Sequence, residues 1–415
     1  MTAPNGAIKF NNSAGHDTQS SGLGPAVAVY GSGASTTAGS ATVTGINTAG
    51  VSVGDLLWVQ SSSGRQFSII FTVDNSTQVT CDDVFANTES GRTWAIGGKR
   101  ATLAGSQRIY DDGSSSSDAH GDWIVELEDG YTETLSSSIN LRVSATSSEG
   151  FIFRGADGAS SKPVLTFSNS GDAISVYAQN TTIQNIELKN SATTTSSVIG
   201  IRLQNYSTGT KIIDVKIDDS ANNFHHAMYA NGSVSGFSCD RCSIGNTASI
   251  GCYPRVVTGM SFSINRCSVF NCGSDGISHR NYTSLSVTNC LIFGNAGYGI
   301  NVYNGQAKIA NNVIHSNSKG IELSNTLSPS RVVDNLISSC GTAISVNSGT
   351  LNGFHLIDGN AFYNNTTNVL NHNRVSNSIT LTADPFADAA NGDFNIADNY
   401  GGGQTLRAVN YTLGG

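Results

Sequence analysis

Gly276-Ile-Ser-His-Arg-Asn281, Gly299-Ile-Asn-Val-Tyr-Asn304 and Gly320-Ile-Glu-Leu-Ser-Asn325 are three copies of one six-residue pattern: glycine, isoleucine, a second inward position two residues on, and a closing asparagine. The pattern continues in both directions. Gly200-Ile-Arg-Leu-Gln-Asn205, His226-Ala-Met-Tyr-Ala-Asn231 and the degenerate Gly251-Cys-Tyr-Pro-Arg-Val256 precede it, and Ala343-Ile-Ser-Val-Asn-Ser348 and Asn368-Val-Leu-Asn-His-Asn373 follow. The copies begin at 200, 226, 251, 276, 299, 320, 343 and 368, so they are 21 to 26 residues apart. A unit of that length, made of short alternating strands and Gly/Asn turns, cannot bury its apolar face alone. Stacking buries it, because each strand then pairs in parallel with its copy one coil away. The reading is an all-β right-handed parallel β-helix.

A second ladder keeps step with the first. Cys242, Cys267, Cys290, Asn312, Asn335 and Asn360 form one column, and Ile244, Val269, Ile292, Ile314, Ile337 and Phe362 lie two residues on. The cysteines read as a stack of small buried side chains. Cys239-x-x-Cys242 is the only CxxC, with no second CxxC or nearby His pair, so the expectation is no metal and no cofactor. The closing asparagines are expected at left-handed corners, with amides bonded from coil to coil.

Composition narrows the class. The chain has 415 residues with 46 Gly, 13% charged residues and a net charge of −8. Charge is too sparse for disorder and helix formers too few for an ordinary α/β enzyme. No apolar run is long enough to span a membrane, no basic cluster suits nucleic acid, and the N-terminus lacks the pattern of a secretory signal. Residues 1–100 follow other rules: the alternating runs Gly50–Val59, Gln66–Val73, Gln78–Cys81 and Thr93–Ile96 are split by Ser/Gly/Asp/Asn turns. They read as a small antiparallel β-barrel or sandwich. The helix is expected over 101–376, and 377–415 as a segment covering its open end.

The stacked units, the entry segments Tyr131-Thr-Glu-Thr-Leu135 and Asn180-Thr-Thr-Ile-Gln-Asn-Ile-Glu-Leu188, and the closing Asp384-Pro-Phe386 and Gly392-Asp-Phe394 resemble the pectin-lyase-like β-helix superfamily. The small N-terminal module and the Gly/Ser/Thr/Asn composition resemble its bacteriophage tailspike and virion-protein branch. The resemblance implies a virion or extracellular protein, other virion proteins and surface polysaccharide as partners, and a homo-trimer. The superfamily also holds pectate lyases, polygalacturonases and endoglycosidases, so fold leaves activity open. The acid cluster that binds calcium in pectate lyases and the N-T-D, G-H-G and R-I-K strings of polygalacturonases are not found.

Any site must lie on outward positions. The first outward column reads Arg202, Met228, Tyr253, Ser278, Asn301, Glu322, Ser345, Leu370; the second reads Gln204, Ala230, Arg255, Arg280, Tyr303, Ser324, Asn347, His372. Glycoside hydrolysis needs two nearby carboxyl groups, and Glu322 is the only acid in either column. Glu322, Arg280 and Lys319 are therefore weak catalytic candidates. His279 falls on an inward position beside Val302 and reads as a core residue. Asp218, Asp219, His225 and His226 read as a polar loop, and Asp111, Asp112, Asp118 and His120 as a linker. Binding fits better: Tyr253, Arg255, Arg280 and Tyr303 offer flat aromatic faces and guanidinium groups suited to sugar rings and anions. The expected function is a phage virion adhesion or structural protein whose flank binds polysaccharide; the alternative is a polysaccharide lyase or endoglycosidase.

Overall fold

The structure is a computed structural model. It describes residues 6–11, 19–104, 124–142, 150–192, 198–205, 207–218, 224–232, 234, 236–256, 261–280, 284–325, 329–347 and 354–408. They fall into two compact units, one of 1–168 with 174–187 and the other of 169–173 with 188–415.

In the first unit, Val29–Thr36, Thr42–Thr44, Leu56–Ser61, Gly64–Asn75, Gln78–Cys81 and Glu89–Ile96 close an antiparallel barrel. Ala34, Val43, Leu57, Val59, Ile70, Val79, Trp94 and Ile96 fill it. Closure leaves no free strand edge. The same unit holds parallel strands, and the first of them precedes the barrel: Ile8–Phe10 pairs with Val125–Leu127. Three residues are too short a run to announce a strand in sequence. Arg100 is fully buried where the chain leaves the barrel; its Nη1 donates to Ser20 O (2.8 Å), an acceptor shared with Trp58 Nε1 (2.8 Å).

The second unit is a parallel β-helix in which each coil adds one strand to each of three sheets. The first sheet stacks Ile199–Leu203, His226–Gly232, Cys252–Val256, Ile277–Arg280, Tyr298–Tyr303, Lys319–Ser324, Thr342–Asn347 and Thr367–Leu370. The second runs from Lys211–Ile213 to Val375–Ser376 and the third from Lys216–Asp218 to Ile379–Thr380. Period-2 alternation sends Ile201, Ile277, Ile300, Ile321 and Ile344 into the core, each fully buried. Glycine before the first four, and the small Ala343 before Ile344, permit the close stacking. A Cβ on Gly320 would sit 2.5 Å from Ala343 O, and one on Gly299 2.8 Å from Gly320 O.

The corner between second and third sheets is left-handed in coil after coil. Asp214, Arg241, Arg266, Asn289, Asn311 and Asp334 all have φ between 52° and 58°. Asn and Asp tolerate that geometry; Arg241 and Arg266 hold it with the carboxylate of Asp240, which accepts from both guanidiniums at 2.6 Å.

Buried amides complete the stack in a column other than that of the unit-closing asparagines. Asn304 and Asn325 take left-handed corners, but the amide ladder is Asn312–Asn335–Asn360. Asn335 Oδ1 accepts from Asn312 N (3.1 Å) and Asn312 Nδ2 (2.9 Å), while Asn335 Nδ2 donates to Asn360 Oδ1 (3.0 Å) and Ile309 O (3.0 Å). Inside the core an amide satisfies backbone groups that water cannot reach. A second ladder, missed in the sequence, runs through Cys272, Asn295 and Asn317.

The segment after Asn377 packs on the outward side of the third sheet: Phe386 and Phe394 meet His315, Phe394 lies 4.9 Å from the ring of Phe293, and Leu381 and Leu406 join Leu336 and Ala361. It covers an apolar flank that alternation would otherwise leave in water.

Asn335→Ala should cost about 3–5 kcal/mol, since several buried partners lose their bonds at once. Urea unfolding measures it; a loss below about 1 kcal/mol would mean the ladder does not hold the stack.

Candidate functional site

The outward face of the first sheet carries the candidate site. In register, Arg202 pairs with Tyr229 and Tyr229 with Tyr253, while Ser278, Asn301, Glu322 and Ser345 continue the column. The second outward column is Asn231, Arg255, Arg280, Tyr303, Ser324 and Asn347. One coil differs from the sequence reading. Ile201 pairs with Met228, so Met228 and Ala230 face inward, 4% and 3% exposed, and Tyr229 and Asn231 face outward. The run Ala-Met-Tyr-Ala hides its parity because three of its four residues are apolar enough for the core.

The correction adds a tyrosine and makes the stripe continuous. Tyr229 and Tyr253 lie 5.4 Å apart between centroids. The Arg202 guanidinium stands 5.0 Å above the Tyr229 ring, and its Nε donates to Asp172 Oδ2 (2.6 Å). Arg280 lies between two rings, 5.8 Å from Tyr253 and 6.0 Å from Tyr303. Behind the tyrosines His226 stacks on Tyr229 at 5.7 Å and meets Tyr253 edge-on at 5.2 Å. Its Nδ1 accepts from the Ile250 N–H (3.2 Å), so the neutral ring carries its proton on Nε2. Burial, with His225 adjacent, lowers this imidazole to about 4, and the support behind the tyrosines is uncharged at neutral pH.

Arg255 and Arg280 are register partners on adjacent strands, both exposed, and among the described residues neither has a carboxylate partner. Neighbouring strands are about 4.8 Å apart, and two unit charges at that spacing repel by about 1 kcal/mol in water. Beside them Ser278, at an outward position of the column, is fully buried, and its hydroxyl has no partner among the described residues. The two adjacent exposed cations suit a ligand with acceptor oxygens, whereas the Ser278 hydroxyl is closed off from the surface.

Glu322 and Lys319 lie further along, engaged with each other. Lys319 Nζ is 3.1 Å from Glu322 Oε2, Ser324 Oγ donates to Oε1 (2.8 Å), and the ammonium sits 5.1 Å over the Tyr298 ring. Asp275, not singled out in sequence because it precedes the repeat's glycine, is buried and accepts from Tyr298 N (3.0 Å) and Asn301 Nδ2 (3.1 Å). Asn301 is the register partner of Glu322 and so brings the two carboxyl groups to one part of the sheet. Asp218 is bonded by the amide of Asn246 at 2.6 Å; Asp219, Asp111, Asp112, Asp118 and His120 lie outside the described residues. On the second sheet a shallow groove of about 310 Å³ is floored by Ser261, Ser263, Ser284 and Ser286 and ended by Lys308 and Arg331.

Residues 169–385 match the family described as periplasmic copper-binding protein (NosD). The chain belongs to the NosD family. Among solved structures, the pectate lyase Pel9A superposes with a TM-score of 0.52 at 13% identity, covering 73% of this chain and 85% of that one. A rhamnogalacturonan lyase gives 0.51 at 12% identity, covering 77% and 95%. The enzymatically active domain of bacteriophage CBA120 tailspike protein 2 gives 0.48 at 11% identity, covering 79% and 47%. No curated protein matches the sequence. The fold is that of the pectin-lyase-like β-helices, and no helix among the described residues is long and apolar enough to cross a membrane.

The family description names copper, and one cluster among the described residues has the ligands for it. Cys239, Cys242 and Cys267 place their sulfurs within 4.8 Å of one another. Three thiols with no oxygen or imidazole donor in the cluster fit a soft, low-coordinate ion.

His226, His279 and His355 are each pushed down to about 4, burial being the main cause in all three. The folded chain thus disfavours the imidazolium. Their contribution is complete above pH ~6.5 and is lost as pH falls toward ~4. For the fully buried His279 the loss is on the order of 2–3 kcal/mol. His279→Leu should flatten the fall in urea stability between those pH values; an unchanged pH slope would contradict the assignment.

Proposed function

We propose that the chain binds an anionic polysaccharide along the outward face of its first sheet. The observation that carries this is the Arg255–Arg280 pair, adjacent, exposed and without a carboxylate partner among the described residues, with Arg280 set between the rings of Tyr253 and Tyr303. Tyrosine rings take the apolar face of a sugar, and paired guanidiniums take a carboxylate, sulfate or phosphate in bidentate fashion. An open, shallow face suits an extended chain better than a small molecule, which calls for a concave pocket. The same coil stack occurs in proteins named for acting on pectate and rhamnogalacturonan. In the finer form of this reading the protein is a virion adhesion component. The barrel is then its attachment module, and a trimer presents three such faces.

Binding of polygalacturonate and of neutral dextran to the full chain, measured by calorimetry, tests the reading. Polygalacturonate should bind and dextran should not. Arg255→Ala and Arg280→Ala should each weaken binding about tenfold. The affinity should fall between 50 and 500 mM salt, on the order of the Debye screening of exposed charges. Equal binding of both polymers, or no effect of either arginine change, would overturn it.

One observation favours the enzymatic reading: Asp275 and Glu322 lie on either side of Asn301, beside the stripe. If they cleave the bound chain, Asp275→Asn and Glu322→Gln should abolish product release and leave affinity intact. Neither change should alter a protein that only binds.

A further inference from the structure

The second sheet has an inward column that is aliphatic in every coil but one. In register, Ile212, Cys239, Ile264, Val287, Ile309, Val332 and Ile357 stack in that order. Among these seven positions a β-branched residue stands everywhere except at 239, although the neighbours on both sides are isoleucines. Packing alone gives no reason for a cysteine there. A second isoleucine-like residue would bury more apolar surface and suit a strand better.

The exception falls at one place. Arg241 turns the chain with φ 54°, so Cys239 before the corner and Cys242 after it both point inward. The equivalent corner of the next coil, at Arg266 with φ 52°, delivers Cys267 to the same point. The three sulfurs lie within 4.8 Å of one another, with Cys239 and Cys267 at 3.5 Å. All three residues are at most 3% exposed. As thiols they donate to backbone carbonyls: Cys242 to Asp240 O at 3.4 Å, Cys267 to Asn265 O at 3.2 Å. The third member comes from 25 residues beyond Cys242, a spacing set by the coil and invisible as a linear metal motif.

We propose that Cys239, Cys242 and Cys267 form a site for one soft monovalent cation of d¹⁰ configuration, Cu(I), held by three sulfurs. With metal–sulfur bonds of about 2.3 Å, as for thiolates on zinc, a trigonal arrangement needs sulfurs about 4 Å apart, a distance reached by small side-chain shifts from one pair at 3.5 Å and all three within 4.8 Å. Tetrahedral Zn²⁺ would need a fourth ligand, and the cluster of described residues has three. Hard cations take oxygen, and the cluster offers none. Binding exchanges protons for the ion: Cu(I) enters, up to three thiol protons leave, and no electron moves. The negative charge left on the sulfurs lies under the corner where the guanidiniums of Arg241 and Arg266 meet on Asp240. The family description names copper but assigns no residue, and the proposal stands apart from the glycan-binding face.

The test is an anaerobic titration of the full chain with Cu(I) against a chromophoric Cu(I) chelator, on folded protein and on protein refolded with Cu(I) present. X-ray absorption then reads the ligand shell. The expected result is one Cu(I) per chain with a sulfur-only shell. Cys239→Val restores the residue type of its own column and should fold, yet weaken Cu(I) binding at least a hundredfold. Cys272→Ala, a buried cysteine in another column, should bind as the wild type does. The proposal is overturned if the wild type takes up no Cu(I) by either route, if Cys239→Val binds equally well, or if the shell contains nitrogen or oxygen.

Discussion

Everything in the second unit depends on a parallel strand finding its copy one coil away. No described strand there is longer than seven residues, and none could stand alone. Register passes from coil to coil: Ile277 lies on Ile300, Ile300 on Ile321 and Ile321 on Ile344. Because each residue rests on its counterpart, any property repeated in sequence becomes a line in space. The buried asparagines become a ladder of amides, the cysteines a line of sulfurs, and the outward arginines and tyrosines a stripe.

That constraint explains what the sequence could and could not disclose. Repeats with a clear glycine and isoleucine could be aligned by eye, and their inward and outward positions follow from period two. The coil at His226 could not, because Ala227, Met228 and Ala230 suit the core in either parity, and so Tyr229 was hidden. Ile8–Phe10 was hidden for another reason: its partner lies more than a hundred residues away, across the barrel. The C-terminal segment was read in sequence as a cover for the open end; its packing on the flank of the third sheet depends on outward apolar residues that only the fold assembles.

The candidate site shows the same division. The outward placement of Arg280 and Tyr303 was legible because each lies in an ordinary repeat, and that of Tyr253 and Arg255 because even the degenerate copy keeps the spacing. The neutral His226 behind the tyrosines, the unpartnered hydroxyl of Ser278 and the role of Asp275 were not. They depend on burial and on hydrogen bonds between coils. The thiol cluster is the sharpest case. Two of its members form a visible pair, while the third is near only because one coil is 25 residues long.

The central claim is that outward columns of stacked coils make a surface for an anionic chain. Crystals of the protein soaked in an acidic oligosaccharide, oligogalacturonate, would test it most directly. The account predicts a carboxylate between Arg255 and Arg280, with sugar rings on the faces of Tyr253 and Tyr303. Density in the serine-floored groove of the second sheet instead, or none on the first sheet at saturating ligand, would contradict it.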